Sequence, residues 1–172
     1  MTKDIFCGER ATQKRTVTAL AGIAVFAFVP LYGVGADNDK VPALVRYHVV
    51  ADGIPTPLTS RPGNSVEGEK VVEDRKLGNC LSCHAFPLKA ADPGNVGPDL
   101  RGVGSRYKAA QLRLRVVNMK VLDPQTIMPA YYRVDGLHDV GKAFVGKTIL
   151  DPQQVEDLVA YLATLTTKGT SR

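Results

Sequence analysis

Cys80-Leu81-Ser82-Cys83-His84 places two thiols three positions apart and an imidazole directly behind the second. Covalent c-type haem attachment needs this arrangement: each thiol adds to one vinyl group, and the adjacent histidine is positioned to ligate the iron. Two other chemistries use cysteines at this spacing, a zinc site and a thioredoxin-like redox pair. A zinc site needs two further ligands, and the chain offers only Cys7, His48 and His138, each isolated in sequence. A dithiol pair leaves His84, and a usable second iron ligand downstream, unexplained.

The iron's second face requires another donor. Met128 lies between the turn-forming Pro124 and Pro129, in a loop that can return a thioether across the ring. Met119 is the competing sulfur, though it falls on a helical apolar stripe, where methionine is a common core filler. His138 and an open position are the remaining alternatives. With His84 and Met128 both bound, no iron position is left for a substrate, and electron transfer follows. A thioether ligand raises the potential relative to two imidazoles. The free ring nitrogen of His84 needs an acceptor to set its tautomer, and the loop carrying Pro98 is the expected source of a carbonyl.

Haem attachment of this kind occurs outside the cytoplasm, and the start of the chain agrees. Arg10, Lys14 and Arg15 precede an apolar run from Val17 to Val29, and Val34-Gly35-Ala36 offers small residues for cleavage. The run is shorter than the about 17–25 residues that span a bilayer. Residues 1–36 therefore read as a removed signal peptide, with an uncleaved anchor as the alternative. Cys7 leaves with it, so the mature chain has only the two motif cysteines and no disulfide. Four of the 22 Lys and Arg and two of the 17 acids also leave, which lowers the net charge from +5 to +3. A local basic bias persists from Asp99 to Asp123, with Arg101, Arg106, Lys108, Arg113, Arg115 and Lys120. It reads as a solvated face or as a docking surface for an acidic partner. No recognition motif accompanies these charges, and nucleic acid is not an expected partner.

The elements that must position the motif are mainly helical. Removing residues 1–36 from 172 leaves about 136, enough for one modest core. Pro42, Pro55, Pro57 and Pro62 make residues 37–64 an extension with at most a short strand or turn near Leu44 to Val50. The spacing predicts a first helix from near Val66 to Leu77, capped by Ser65 and stopped by Gly78, with Gly68 able to admit a neighbouring backbone. Ala109, Leu112, Val116 and Met119 predict a helix packed near the haem, with Arg113, Arg115 and Lys120 pointing elsewhere. Asp151 and Pro152 open a terminal helix whose Val155, Leu158, Val159 and Leu162 form an apolar stripe, to be crossed by the first helix. Gly94, Gly97, Gly102 and Gly104, with Pro87, Pro93 and Pro98, make the intervening region a structured loop more readily than a helix. Tyr131, Tyr132, Leu137, Phe144 and Ile149 are candidates to line or cover the pocket.

Two likenesses follow from these residues. Gly78-Asn79-Cys80-Leu81-Ser82-Cys83-His84, the Gly97-Pro98-Asp99-Leu100 loop and the terminal helix resemble a class I cytochrome c. Asp74-Arg75-Lys76-Leu77-Gly78-Asn79-Cys80, Ile127-Met128-Pro129-Ala130-Tyr131-Tyr132 and Gly141-Lys142-Ala143-Phe144-Val145-Gly146-Lys147-Thr148-Ile149-Leu150 more closely resemble the SoxX family, the mono-haem subunits of thiosulfate-oxidising SoxAX cytochromes. The likeness spans most of residues 65–165. It implies an all-α class I cytochrome c domain over residues 65–168, with long haem-wrapping loops, in a periplasmic heterodimer free of the membrane after signal cleavage. The cofactor implied is one covalent haem c held by Cys80 and Cys83, with His84 and Met128 as axial ligands. The partners implied are a SoxA-like catalytic haem subunit, a SoxYZ-like carrier whose cysteine receives thiosulfate, and a soluble cytochrome c acceptor. The chain is then the non-catalytic electron-transfer subunit of an L-cysteine S-thiosulfotransferase complex, with no catalytic residue of its own. A free-standing respiratory electron carrier, and a haem sensor or peroxidase, are the alternative functions.

Overall fold

The computed structural model describes residues 44–89 and 94–167, so the expected signal peptide and the first residues of the extension lie outside the described residues. The architecture is all-α. Helix α1 spans Ser65–Glu73, α2 Val103–Arg106, α3 Ala109–Asn118 and α4 Pro152–Thr164. Single 3₁₀ turns occur at Cys80–Ser82, Met119–Val121 and Lys142–Phe144. Among the described residues there is no strand, only an isolated antiparallel bridge between Val50 and Gly53.

Helix α4 forms as its sequence predicts. The Asp151 carboxylate accepts from the Gln154 N–H at 2.8 Å while the Gln154 side chain accepts from the Asp151 N–H at 2.9 Å, with Pro152 in the first turn. Val155, Leu158, Val159 and Leu162 are all buried. Helix α1 crosses this helix at Gly68, where an added Cβ would lie 2.0 Å from the Asp157 carbonyl oxygen. Only a residue without a side chain admits this backbone-to-backbone approach, as Gly68 suggested.

Helix α1 differs from expectation at both ends. Its cap is Asn64, whose side chain accepts from the Val66 N–H at 2.9 Å, and Ser65 is the first helical residue. It stops at Glu73, well before Gly78. Asp74 turns extended, and its carboxylate accepts from the Lys76 N–H at 2.7 Å. That local bond offers the backbone an alternative to another helical turn.

The extension lies along the domain. Ile54 and Leu58 are buried in the same core as Val72, Leu114, Val117 and Val155. Pro55, Pro57 and Pro62 lack an N–H, and α4 side chains pair two of the N–H groups that remain. Leu58 N–H donates to Glu156 at 2.8 Å, and Asn64 N–H donates to Asp157 at 2.8 Å. The Thr59 hydroxyl donates to Gln153 at 2.8 Å. Farther upstream, Val45 N–H donates to the Tyr132 hydroxyl at 2.8 Å.

One expectation is corrected here: Arg113 lies outside the haem cavity lining, as expected, but it is not part of a solvated face or docking surface. It is 5 % exposed and grips Glu156 of α4 with two bonds, Nε to Oε1 at 2.8 Å and Nη2 to Oε2 at 2.7 Å. Its Nη1 donates to the Ile54 carbonyl at 2.7 Å. Two charges are tolerated in the interior because each is paired and further hydrogen-bonded. The pair clamps α3, α4 and the extension at one point.

Candidate functional site

The chain enters the motif through Asn79, whose φ of +49° turns the backbone sharply into the Cys80–Ser82 turn. Cys83 and His84 N–H groups both donate to the Cys80 carbonyl, at 3.2 and 3.0 Å, which winds the two thiols and the imidazole into one compact coil. A returning loop fastens along it. Gly94 N–H bonds Leu81, Gly97 N–H bonds Cys83 and Leu100 N–H bonds Ala85, at 2.9, 2.8 and 3.0 Å.

That loop sets the state of His84. Nδ1 lies 2.8 Å from the Pro98 carbonyl oxygen, the acceptor expected. A carbonyl only accepts, so Nδ1 carries the proton and Nε2 keeps its lone pair for a metal. Gly97 lies flat against the ring, where an added Cβ would come within 2.3 Å of Cε1.

Cys80, Cys83, His84 and Met128 line one cavity of about 610 Å³, together with Leu100, Val103, Leu112, Val116 and Leu162. Met119 lines it too, so both candidate sulfurs reach this space; His138 is exposed and lies elsewhere. Met128 is set in a turn in which its N–H donates to the Thr126 hydroxyl at 3.2 Å. Of the five side chains suggested as lining, Tyr131 alone does so; its hydroxyl donates to the Gly78 carbonyl at 2.9 Å. Tyr132, Leu137, Phe144 and Ile149 are outside the lining.

Burial pushes the Cys80 thiol up to about 11, so it is protonated at neutral pH. A buried, protonated thiol is a poor redox nucleophile, which speaks against a thioredoxin-like role. Tyr131 is likewise raised, first by burial and then by the neighbouring Cys80. At the rim, hydrogen bonds from Arg101 hold the Asp99 carboxyl below its usual range. Among the described residues no three His, Cys, Asp or Glu side chains cluster so as to hold a metal ion directly.

The lining also contains Tyr107, which the sequence pattern did not single out, and Arg106 and Arg115; Arg115, expected to point away from the haem, is corrected to a wall of this cavity. They sit in the basic stretch, where charge density reads as surface. Arg115 lies over the Tyr107 ring at 3.9 Å from its centroid.

These residues fit a c-type haem. The space is of ligand size and largely apolar. It is faced by two thiols, by an imidazole with one nitrogen already tied, and by thioether sulfurs. Gly97 forms a cradle on one side of the imidazole with no space there for a Cβ.

Known proteins agree with this geometry. A profile of the cytochrome c family matches residues 65–166. One chain of the crystal structure of SoxXA from P. pantotrophus is 40 % identical, with 70 % of this chain and 94 % of that chain covered and a TM-score of 0.64. An uncharacterized lipoprotein of Aquifex aeolicus (strain VF5) is 29 % identical over 89 residues, which are 51 % of this chain and 36 % of the lipoprotein. The chain thus spans little more than a third of that relative's length. The chain belongs to the cytochrome c family, and within it is a SoxX-like haem c subunit.

Proposed function

We propose that this chain is the mono-haem subunit of a periplasmic SoxAX-type heterodimer, relaying electrons from a SoxA-like catalytic subunit while thiosulfate is joined to a carrier-protein cysteine. The observation that carries the reading is the meeting of Cys80, Cys83, His84 and Met128 at one cavity, in a chain 40 % identical to a SoxXA chain. Residues 1–36 are its export signal, 37–64 its extension and 65–168 its haem domain. Among the described residues no helix is long and apolar enough to cross a membrane.

Cys80 and Cys83 would hold a haem through two thioether links, and His84 would offer Nε2 to its iron. The Pro98 carbonyl orients that ring and makes it a stronger donor by accepting the Nδ1 proton. Met128, which lines the same cavity, would supply a thioether sulfur to that iron. A bound haem provides a one-electron iron couple, and the thioether biases it towards the reduced state. Leu100, Val103, Leu112, Val116 and Leu162 exclude water from the site, while Tyr131 and its Gly78 bond close the cysteine side. With Cys80 and Cys83 committed to haem, the processed chain would have no thiol for sulfur chemistry of its own. A soluble cytochrome c takes the electron onward.

Affinity purification from thiosulfate-grown cells, with haem staining and mass spectrometry, tests this reading. The expected result is one covalent haem on a chain lacking residues 1–36, co-purifying with a larger haem subunit. Recovery of the haem chain alone favours a free-standing carrier. Rapid binding of carbon monoxide by the reduced protein favours a sensor or peroxidase.

A further inference from the structure

Both candidate sulfurs reach the cavity from one short loop. Helix α3 runs out at Asn118, Met119 opens the 3₁₀ turn that follows, and the chain returns through Pro124 to Met128, so that each end of the loop carries a thioether lining the same space. Local bonds shape each part of it. On the outgoing arm the Leu122 and Asp123 N–H groups both donate to the Met119 carbonyl, at 2.9 and 3.0 Å. At the tip the Thr126 N–H donates to the Asp123 carbonyl at 3.1 Å, while the Asp123 carboxylate accepts from the Gln125 N–H at 3.0 Å, a turn that proline and aspartate favour at these positions. On the return arm Met128 N–H donates to the Thr126 hydroxyl at 3.2 Å, and Pro129 restricts the backbone of the methionine before it.

None of these bonds spans from the arm beside Met119 to the arm that bears Met128. Lys120 makes the one that does. Its Nζ donates to the Thr126 carbonyl at 2.7 Å, a charge-assisted bond between the residue after Met119 and a residue two before Met128. Thr126 is half-buried and lines the cavity, and its carbonyl has no other donor among the described residues. One threonine therefore takes the lysine on its carbonyl and the Met128 amide on its hydroxyl.

Resting on the haem reading above, we infer that Lys120 is a positioning residue for the axial sulfur: its bond to the Thr126 carbonyl holds the return arm so that Met128, and not Met119, meets the iron. The lysine itself is exposed and outside the cavity lining, so it acts through Thr126 alone. A ligand from solution must displace the sulfur before it binds the iron, and its apparent affinity scales with the fraction of molecules in which the sulfur is away. Loosening the return arm raises that fraction.

The test uses the full chain, matured with covalent haem, as Lys120→Leu, Lys120→Arg and Lys147→Leu. Lys147 is also exposed and outside the lining, so its replacement removes a surface charge and nothing from the loop. Titration of the ferric protein with imidazole should show Lys120→Leu binding about tenfold more tightly, the effect expected from loss of one hydrogen bond to a charged group. In the proton spectrum of the reduced variant, the methyl signal of the iron-bound methionine should gain a second component, which disappears when Met119→Leu is added. Lys120→Arg still donates and should restore both parent values; Lys147→Leu should change neither. Lys120→Leu with the parent imidazole affinity, or with one unchanged methionine signal, overturns the proposal, as does an equal effect of Lys147→Leu. A parent chain with no covalent haem overturns the functional reading instead.

Discussion

Glu156→Gln isolates what the buried clamp contributes. The substitution keeps side-chain shape and an oxygen facing Leu58 N–H and Arg113, but removes the counter-charge of a guanidinium that is 5 % exposed. Leaving a buried ion without its partner costs about 3–5 kcal/mol. A domain of this size has about 5–15 kcal/mol of stability, so the loss is a large fraction of the whole. At about 4 °C per kcal/mol, Tm should fall by about 12–20 °C. Glu67→Gln is the matched control. It breaks the exposed Lys70–Glu67 pair, with side chains 65 % and 50 % exposed, and should cost at most about 1 kcal/mol. Both variants are to be compared in the same haem-loaded state by far-ultraviolet circular dichroism. Equal, small shifts would show that the clamp holds nothing the surface pair does not, and the account of the extension's attachment would fail with it.

Other expectations concern the helix crossing, the ligands and pH. Gly68→Ala puts a methyl 2.0 Å from a backbone oxygen of α4, so the helices must part; a loss of about 1–3 kcal/mol or more in chemical denaturation is expected, and a neutral result contradicts the crossing. Gly97→Ala intrudes on the His84 ring, and should alter the low-spin electron paramagnetic resonance signal while leaving haem attached; an unchanged signal argues against the cradle. Met128→His should lower the potential and abolish the methionine-to-iron absorption, whereas Met119→Leu should preserve it; the reverse outcome identifies Met119 as the ligand. Burial raises Tyr161 from 10.0 to about 12. Its contribution to stability is complete below pH 10 and is lost as pH rises through about 12. Tyr161→Phe should therefore flatten the alkaline decline in Tm, and an identical decline would remove Tyr161 as its source.

Local chemistry made much of the site readable before any coordinates. The haem motif, the Asp151–Pro152 start of α4, the close approach at Gly68 and the carbonyl at Pro98 each follow from constraints acting over a few residues or from a functional group with one obvious need. Where competition decides the outcome, prediction fell short. The end of α1 depends on Asp74 preferring its bond to Lys76 over another helical turn. The fate of the basic stretch depends on partners far away in sequence. Arg113 finds Glu156 43 positions later, and Arg115 finds Asp52 63 positions earlier. No density of charge tells which cation goes inside. The aromatic residues divide similarly: Tyr131 reaches the cavity while its neighbour Tyr132 turns to hold Val45.

Portability of this haem unit follows from the way its upstream strap is bolted down. The part shared with other cytochromes begins at residue 65, yet the mechanical seam lies nearer Asp52. A chimera spliced at Ser65 inherits the Arg113–Glu156 couple without the Ile54 carbonyl and Leu58 amide that complete it, and a hollow where two apolar side chains had been. A graft begun upstream of Asp52 carries lock and bolt together.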